Sequence, residues 1–178
     1  FGTYTTDDYD DLWTEGCGLT EIMLPDSVSK IEQDAFLGVR CIQPIYNSAI
    51  FVYLPRDWKG MYKIPEGIRE IGYCAFGFYN RDYDDITGFS LQQGKRYACL
   101  NITNVIIPDS VNFLRDGCFA YCISLKSITI PEGVAKIGDC AFIGCSELSS
   151  ISFPNSVIHI GRQAFHETPW YANQQEGE

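Results

Sequence analysis

Apolar residues recur along this chain at a fixed step. Between Leu125 and Glu147 the sequence LKSITIPEGVAKIGDCAFIGCSE sets Leu125, Ile128 and Ile130 ahead of Pro131, then Val134, Ile137, Ala141, Phe142 and Cys145. The unit returns as Leu148 to Pro169 and precedes itself as Ile102 to Ser124. Its columns hold register at 23 residues: Pro108, Pro131, Pro154; Val111, Val134, Val157; Leu114, Ile137, Ile160; Phe119, Phe142, Phe165; and Cys99, Cys122, Cys145. A period of this length marks a solenoid, whose turns bury their apolar edges against their neighbours.

The pattern predicts the elements of each turn. In L-x-x-I-x-I the apolar residues point inward and the others outward, giving a short strand in a parallel sheet. The proline removes a ladder donor and ends the strand, and Glu-Gly, Asp-Ser or Asn-Ser after it makes the turn. V-x-x-I-G then runs back along the other side, and A-F-x-x-C suits a short helical turn. Outward strand positions, among them Glu21, Met23, Met61, Lys63, Thr103, Asn104, Ile106, Lys126, Ser127, Thr129, Ser150 and Ser152, form a small, neutral, solvated face.

Two turns are longer. From Leu19 the stretch LTEIMLPDSVSKIEQDAF fits the columns through Pro25, Val28, Ile31, Ala35 and Phe36. The next phenylalanines, Phe76 and Phe119, arrive 17 and 20 residues late. Insertions are therefore expected at about 37–60 and 77–98. In the first, AIFVYLP and MYKIP flank RDWKG and read as a β-hairpin; either MYKI or the earlier CIQPIY supplies the regular strand. The second, GFYNRDYDDITGFSLQQGKRYA, follows the repeat Phe as the first does, so both emerge on one side. Residues 1–16 are acidic and aromatic and match no column. The whole chain, 1–178, reads as one domain of about five repeats, with repeats over about 17–171.

Composition removes several function classes. The net charge of -10 disfavours nucleic acid, which is held by clustered Lys and Arg, and anionic membrane surfaces for the same reason. No apolar run approaches the ~20 residues of a membrane span. No signal peptide is visible. The chain begins inside a repeat and stops at QQEGE, so both natural ends are expected outside it.

The eight cysteines suggest a disulfide framework until they are set on the columns. Cys99, Cys122 and Cys145 share one column and Cys74 and Cys140 another. Cys118 stands where other turns carry Ala35, Ala75, Ala141 and Ala164. Thiols used this way are small buried hydrophobes, expected reduced; Cys17 and Cys41 lie off the columns and are left open.

The repeat L-x-x-I-x-I-P-x-x-V-x-x-I-G-x-x-A-F-x-x-C, matched column for column by Leu125 to Cys145, resembles the BspA-like (treponeme-type) leucine-rich repeat family. TPWYANQ at Thr168–Gln174 and YLPRDWKGMYKIP are similar to elements of bacterial members. The resemblance covers roughly residues 16–172 with two interruptions. It implies a leucine-rich-repeat right-handed solenoid, α/β horseshoe-like, with a sheet on one face. It also implies a surface-attached or secreted protein associated with adhesion, and no shared catalytic residues. The expected location is extracellular or at the cell surface, a cytoplasmic one staying open.

Candidate chemistry is sparse. Cys140, Cys145, His159 and His166 approach a zinc-finger spacing, but the columns already explain both cysteines. Neither His is paired in sequence with an acid that would orient it toward a thiol. The Asp7, Asp8, Asp10, Asp11 cluster lacks the spacing, Gly and closing Glu of a calcium loop. The insertions differ from the rest: Trp58, Phe78, Tyr79, Tyr83, Asp84, Phe89 and Tyr97 concentrate rings and acids suited to recognition of protein or glycan. The expectation is a non-enzymatic binding or adhesion module without cofactor or metal. A structural spacer is the alternative, and a metal- or thiol-dependent enzyme the distant one.

Overall fold

The computed structural model describes residues 21–32, 35–36, 39, 41–78 and 98–175. Each regular turn contributes two short strands, one on each side of the core. L-x-x-I-x-I forms β3 (Lys59–Lys63), β5 (Asn101–Ile106), β7 (Ser127–Thr129) and β9 (Ser150–Ser152). V-x-x-I-G forms β4 (Glu70–Ile71), β6 (Phe113–Leu114), β8 (Lys136–Ile137) and β10 (His159–Ile160). β3 pairs with β5 and β7 with β9, both parallel, and the Lys126 amide bonds the Thr103 carbonyl across the gap at 3.4 Å. The second sheet is continuous, in the order β1-β2-β4-β6-β8-β10, with β1 (Ile45–Tyr46) and β2 (Ile50–Tyr53) at one end. The corner turns recur, with Val111, Val134 and Val28 amides each bonding the repeat proline carbonyl at 3.0 Å. This is a leucine-rich-repeat solenoid.

The core is a stack of columns. Ile71, Leu114 and Ile137 are fully buried, as are Cys99, Cys122 and Cys145. The repeat phenylalanines form a ladder: Phe76 to Phe119 at 4.7 Å, Phe119 to Phe142 at 5.1 Å and Phe142 to Phe165 at 5.2 Å between centroids, with planes within 23°. Each such ring contributes ~1.5–3 kcal/mol through burial and more through offset stacking. The A-F-x-x-C stretches close as single turns, with Cys122 N–H on Phe119 O at 3.1 Å and Cys145 N–H on Phe142 O at 3.3 Å. They end before a helix can propagate. Among the described residues the one helix is α1 (Pro169–Gln175). Thr168 caps it, its hydroxyl accepting from the Tyr171 amide at 3.2 Å, and Pro169 opens it with its φ already set. Trp170 closes the ladder, 5.1 Å from Phe165.

Neighbouring turns touch backbone to backbone at I-G-D. Asp116 Oδ1 accepts the Asp139 amide at 3.0 Å, and Asp139 Oδ1 the Arg162 amide at 2.8 Å. A Cβ on Gly138 would lie 2.5 Å from the Asp116 amide nitrogen, so this position has no room for a side chain, whereas the turn before it carries Arg115 in the same column.

The first insertion departs from the sequence expectation in two ways. AIFVYLP and MYKIP do not form a hairpin with each other. β2 runs parallel to β4 and β3 parallel to β5, because each is taken by a different sheet of the solenoid. MYKI thus supplies the regular strand. The hairpin lies one strand earlier, where β1 and β2 pair antiparallel around Asn47–Ala49. Secondly, Phe36 is not a rung of the ladder. Phe51, from the insertion, stacks on Phe76 at 5.1 Å in its place. Phe36 packs with Ile22, Leu24 and Val39 against Cys41, Ile45 and Tyr53, and Ala35 is exposed. The first repeat is held through Asn47. Its amide donates to Val28 O at 2.8 Å and Pro25 O at 3.3 Å, and its carbonyl accepts from the Ala49 and Ile50 amides. Glu21–Lys30 form no strand.

Candidate functional site

Of the rings and acids singled out by sequence, Trp58 and Phe78 are described; Tyr79, Tyr83, Asp84, Phe89 and Tyr97 lie outside the described residues, as does Cys17. Phe78 is buried, its amide bonding Ala120 O at 3.3 Å. It anchors the start of the second insertion, and the buried Ala98 marks the return. Trp58 is half-buried. Its chain turns at Pro55, whose carbonyl accepts the Trp58 amide at 3.0 Å, and this delivers the indole to the start of β3. The ring meets Tyr62 edge-to-face at 5.1 Å, and Nε1–H donates to the Met61 carbonyl at 3.2 Å.

Around Trp58 the structure assembles rings the sequence reading did not group. Tyr62 is buried, 5.5 Å from Phe51 and 6.1 Å from Phe76. Burial pushes its phenol up to about 12, with the nearby Tyr46 adding to the rise. Tyr46 stacks on Phe51 at 6.0 Å and is 43% exposed, the accessible end of the ring ladder. The alternation of Lys59, Met61 and Lys63 outward with Tyr62 inward was legible, but the approach of Tyr46 depends on the hairpin.

The outward residues of β3, β5, β7 and β9 form the expected mostly polar face. Met61 stands beside Asn104 and Lys63 beside Ile106; Ser127 faces Ser150 and Thr129 faces Ser152. Met61, at 58%, and Ile106, at 41%, make its β3–β5 end more apolar than the bland face expected. The ion pairs there, Lys63–Glu66 and Lys126–Glu147, are exposed and contribute little.

The thiols have structural roles of two kinds. Cys118 is fully buried in its alanine column. Cys145 Sγ–H donates to Phe119 O at 3.1 Å and Cys122 Sγ–H to Phe76 O at 3.5 Å, each bonding a carbonyl of an earlier turn. Burial raises Cys118 and Cys122 well above the ordinary thiol value and pushes Cys145 up to about 12, so these are poor nucleophiles. The zinc-like set is not gathered: Cys145 lies in the main core, Cys140 in a smaller cluster with Tyr121 and Ile143, and His159 is exposed on β10. Among the described residues no group of three or more His, Cys, Asp or Glu is placed to hold a metal, and no helix is long and apolar enough to cross a membrane.

Comparison with known proteins agrees with this architecture. The profile of the BspA type leucine-rich repeat region matches residues 11–51 and 90–171, in six copies. The stretch between them holds β3 and β4, which the structure nevertheless places in the ladders. A leucine-rich cell surface protein of Faecalibacterium prausnitzii A2-165 is 26% identical, with a TM-score of 0.51 over 85% of this chain and 46% of that one. A leucine-rich repeat protein of Bacteroides ovatus is 21% identical, with a TM-score of 0.40 over 83% of this chain and 58% of that one. This chain therefore spans about half the length of the solved structures it resembles. No curated protein matches.

Proposed function

Because the chain belongs to the BspA-type leucine-rich repeat family, we propose that it is a non-enzymatic binding or adhesion module, secreted or displayed at a cell surface. In this reading residues 1–178 are one leucine-rich repeat unit that engages a protein or glycan through its insertions or the β3–β9 face. One observation carries it: the repeat columns take four thiols out of reach of any ligand. The described column thiols Cys99, Cys118, Cys122 and Cys145 are sealed in the core, which leaves the surface rings and strand faces as the groups able to meet a ligand. The likeness to a bacterial cell surface protein supports the location. Trp58, Tyr79, Tyr83, Asp84, Phe89 and Tyr97 are the proposed contacts, with Phe78 as the anchor of their loop.

The test is a screen of the isolated chain against a glycan array and a panel of extracellular proteins. A specific, saturable binder is expected, weakened by replacing residues 79–97 with a short loop while cooperative unfolding persists. Full retention of affinity in that variant removes the second insertion as the contact. The absence of any saturable binder favours the second reading, a spacer within a longer surface protein, which is supported by the chain's matching 46% of its F. prausnitzii neighbour.

A further inference from the structure

β3 has a sheet edge with which no described residue pairs. The ladder fixes which groups face it. The Ile64 amide bonds the Ile106 carbonyl at 3.0 Å, and Lys63 stands opposite Ile106. Tyr62 and Ile64 therefore turn their amides and carbonyls to β5. Met61 and Lys63 turn theirs the other way, since successive residues of a strand alternate. By repeat register the strand expected there is Ile22–Leu24, but Ile22 and Leu24 pack on the cluster of Cys41, Ile45 and Tyr53, and the turn after them is tied to Asn47 through the Pro25 and Val28 carbonyls.

A donor has already found this edge. The Trp58 indole N–H bonds Met61 O, one of the carbonyls directed outward. Among the described residues nothing pairs with the Met61 amide or with either backbone group of Lys63. Lys59, Met61 and Lys63 are exposed on the outward side of the strand, and opposite them β5 carries Asn101, Asn104 and Ile106, none of them charged. In a chain of net charge -10, two lysines thus frame one strand with no acid across from them on β5, and the exposed Lys63–Glu66 pair at 3.3 Å is weak enough for a partner's acid to replace.

We propose that the free edge of β3 is a strand-addition site for an extended segment of a partner polypeptide. The segment carries apolar residues at alternate positions and acidic ones between them. Backbone groups of Met61 and Lys63 supply the hydrogen bonds, as in other cases where a peptide extends a sheet. Lys59 and Lys63 select the acids, and the exposed ring of Tyr46 and the half-buried ring of Trp58 flank the apolar side chains. Trp58 is a guard that holds one carbonyl until the partner replaces it, one of the ways an exposed edge is kept from indiscriminate pairing. This inference rests on the binding-module reading and names the class of partner.

The probe is a fluorescein-labelled Ser-Ile-Glu-Ile-Glu-Ile peptide, an acidic alternating strand, with Ser-Ile-Lys-Ile-Lys-Ile as its basic counterpart. Anisotropy should show the acidic peptide binding at least threefold tighter at low salt, the gap closing at high salt. Amide exchange should find Tyr62 and Ile64 protected in the free protein and Lys63 protected only with peptide. Lys63→Pro removes the outward amide and leaves the β5 ladder intact, so it should bind at least tenfold more weakly than Lys63→Gln. Equal binding by those two variants overturns the proposal, as does a Lys63 amide left unprotected at saturation. Should Lys63→Pro fail to show a cooperative melt, Trp58→Phe decides. It keeps the ring and frees the Met61 carbonyl, so binding should tighten severalfold, and unchanged or weaker binding overturns the proposal. Binding of neither peptide overturns it too. A glycan ligand that leaves Lys63 unprotected also refutes strand addition while leaving the binding-module reading standing.

Discussion

The phenylalanine ladder makes a quantitative claim about how stability is distributed. Phe142 is fully buried and stacks on Phe119 at 5.1 Å and on Phe165 at 5.2 Å, with planes 9° apart in both pairs. Phe142→Leu keeps most of the apolar area but deletes two ring pairs. At ~0.5–1.5 kcal/mol per pair, the expected loss is about 1–3 kcal/mol. The sharper test is coupling. Phe119→Leu and Phe142→Leu remove the same shared pair, so the double variant should be less destabilised than the sum of the singles by about 0.5–1.5 kcal/mol. Phe119→Leu and Phe165→Leu share no ring contact and sit two rungs apart. Their effects should add within about 0.5 kcal/mol, as nearest-neighbour energetics requires. Urea denaturation followed by circular dichroism measures all of these if the m-values stay constant. Equal coupling for the adjacent and separated pairs would refute the rung-by-rung account and point to a core that relaxes as a whole.

Two further outcomes follow from the columns. Gly138→Ala puts a methyl 2.4 Å from Asp116 Oδ1 and 2.5 Å from its amide nitrogen, forcing adjacent turns apart. It should cost about 1–3 kcal/mol in urea denaturation, and adding Asp116→Ala should recover only part, because the backbone clash remains. The buried thiols predict alkaline sensitivity. Their protonated form is favoured in the fold, where Cys99, Cys118, Cys122 and Cys145 all lie above the ordinary value of 9.0. Below that pH both folded and unfolded chains hold these protons and the groups contribute no slope. Above it the unfolded chain loses them first, so stability falls by up to about 1.4 kcal/mol per pH unit per thiol, continuing toward about 12 for Cys145. Thermal melts under reducing conditions from pH 8 to 10.5 should show this, with a shallower fall in Cys122→Ala. A flat profile would contradict the sealed thiols.

Within the regular repeats the sequence was nearly sufficient, because each residue's environment is the same residue one turn away. Leu114 and Ile137, or Cys122 and Cys145, occupy equivalent buried sites, as their 23-residue register requires. Where the period breaks, that inference has nothing to stand on. Phe36 and Phe51 are the same residue type at the rim of the same insertion. Which one fills the rung above Phe76 depends on a long-range choice of strand partners that no local pattern records. The hairpin was misplaced for a related reason. RDWKG carries turn residues, but β2 and β3 belong to opposite sheets, and the parallel ladders to β4 and β5 outweigh a local antiparallel pairing. The real hairpin turns at Asn47, whose side chain makes four hydrogen bonds, two to Pro25 and Val28 of the first repeat and two that close its own turn at Ala49 and Ile50. At the candidate site, Trp58 was visible as a ring on a loop. Its bond to the Met61 carbonyl was not, because an indole within reach of a strand edge is a fact of geometry.

The open edge of β3 follows from an inequality between the two sides of the solenoid. The insertion after the first repeat contributes two strands, β1 and β2, and both join the second sheet, which therefore runs to six strands. On the other side it contributes none, so among the described residues the strand row begins at β3 and holds four. The insertion also supplies Phe51 as the extra rung, so the hydrophobic ladder continues past the point where the first-side strands stop. Side-chain stacking and backbone pairing are thus out of step at this end by one turn. A rung without its strand leaves apolar support beneath an unpaired edge, and the exposed ring of Tyr46 lies over that support. That combination would give an incoming strand both of its requirements, hydrogen-bonding groups on Met61 and Lys63 and ordered rings for its side chains. In a regular repeat the next turn meets both. Here the break in period separates them, and that is the structural ground on which the proposed strand-addition site is placed beside an insertion and not along the uniform face.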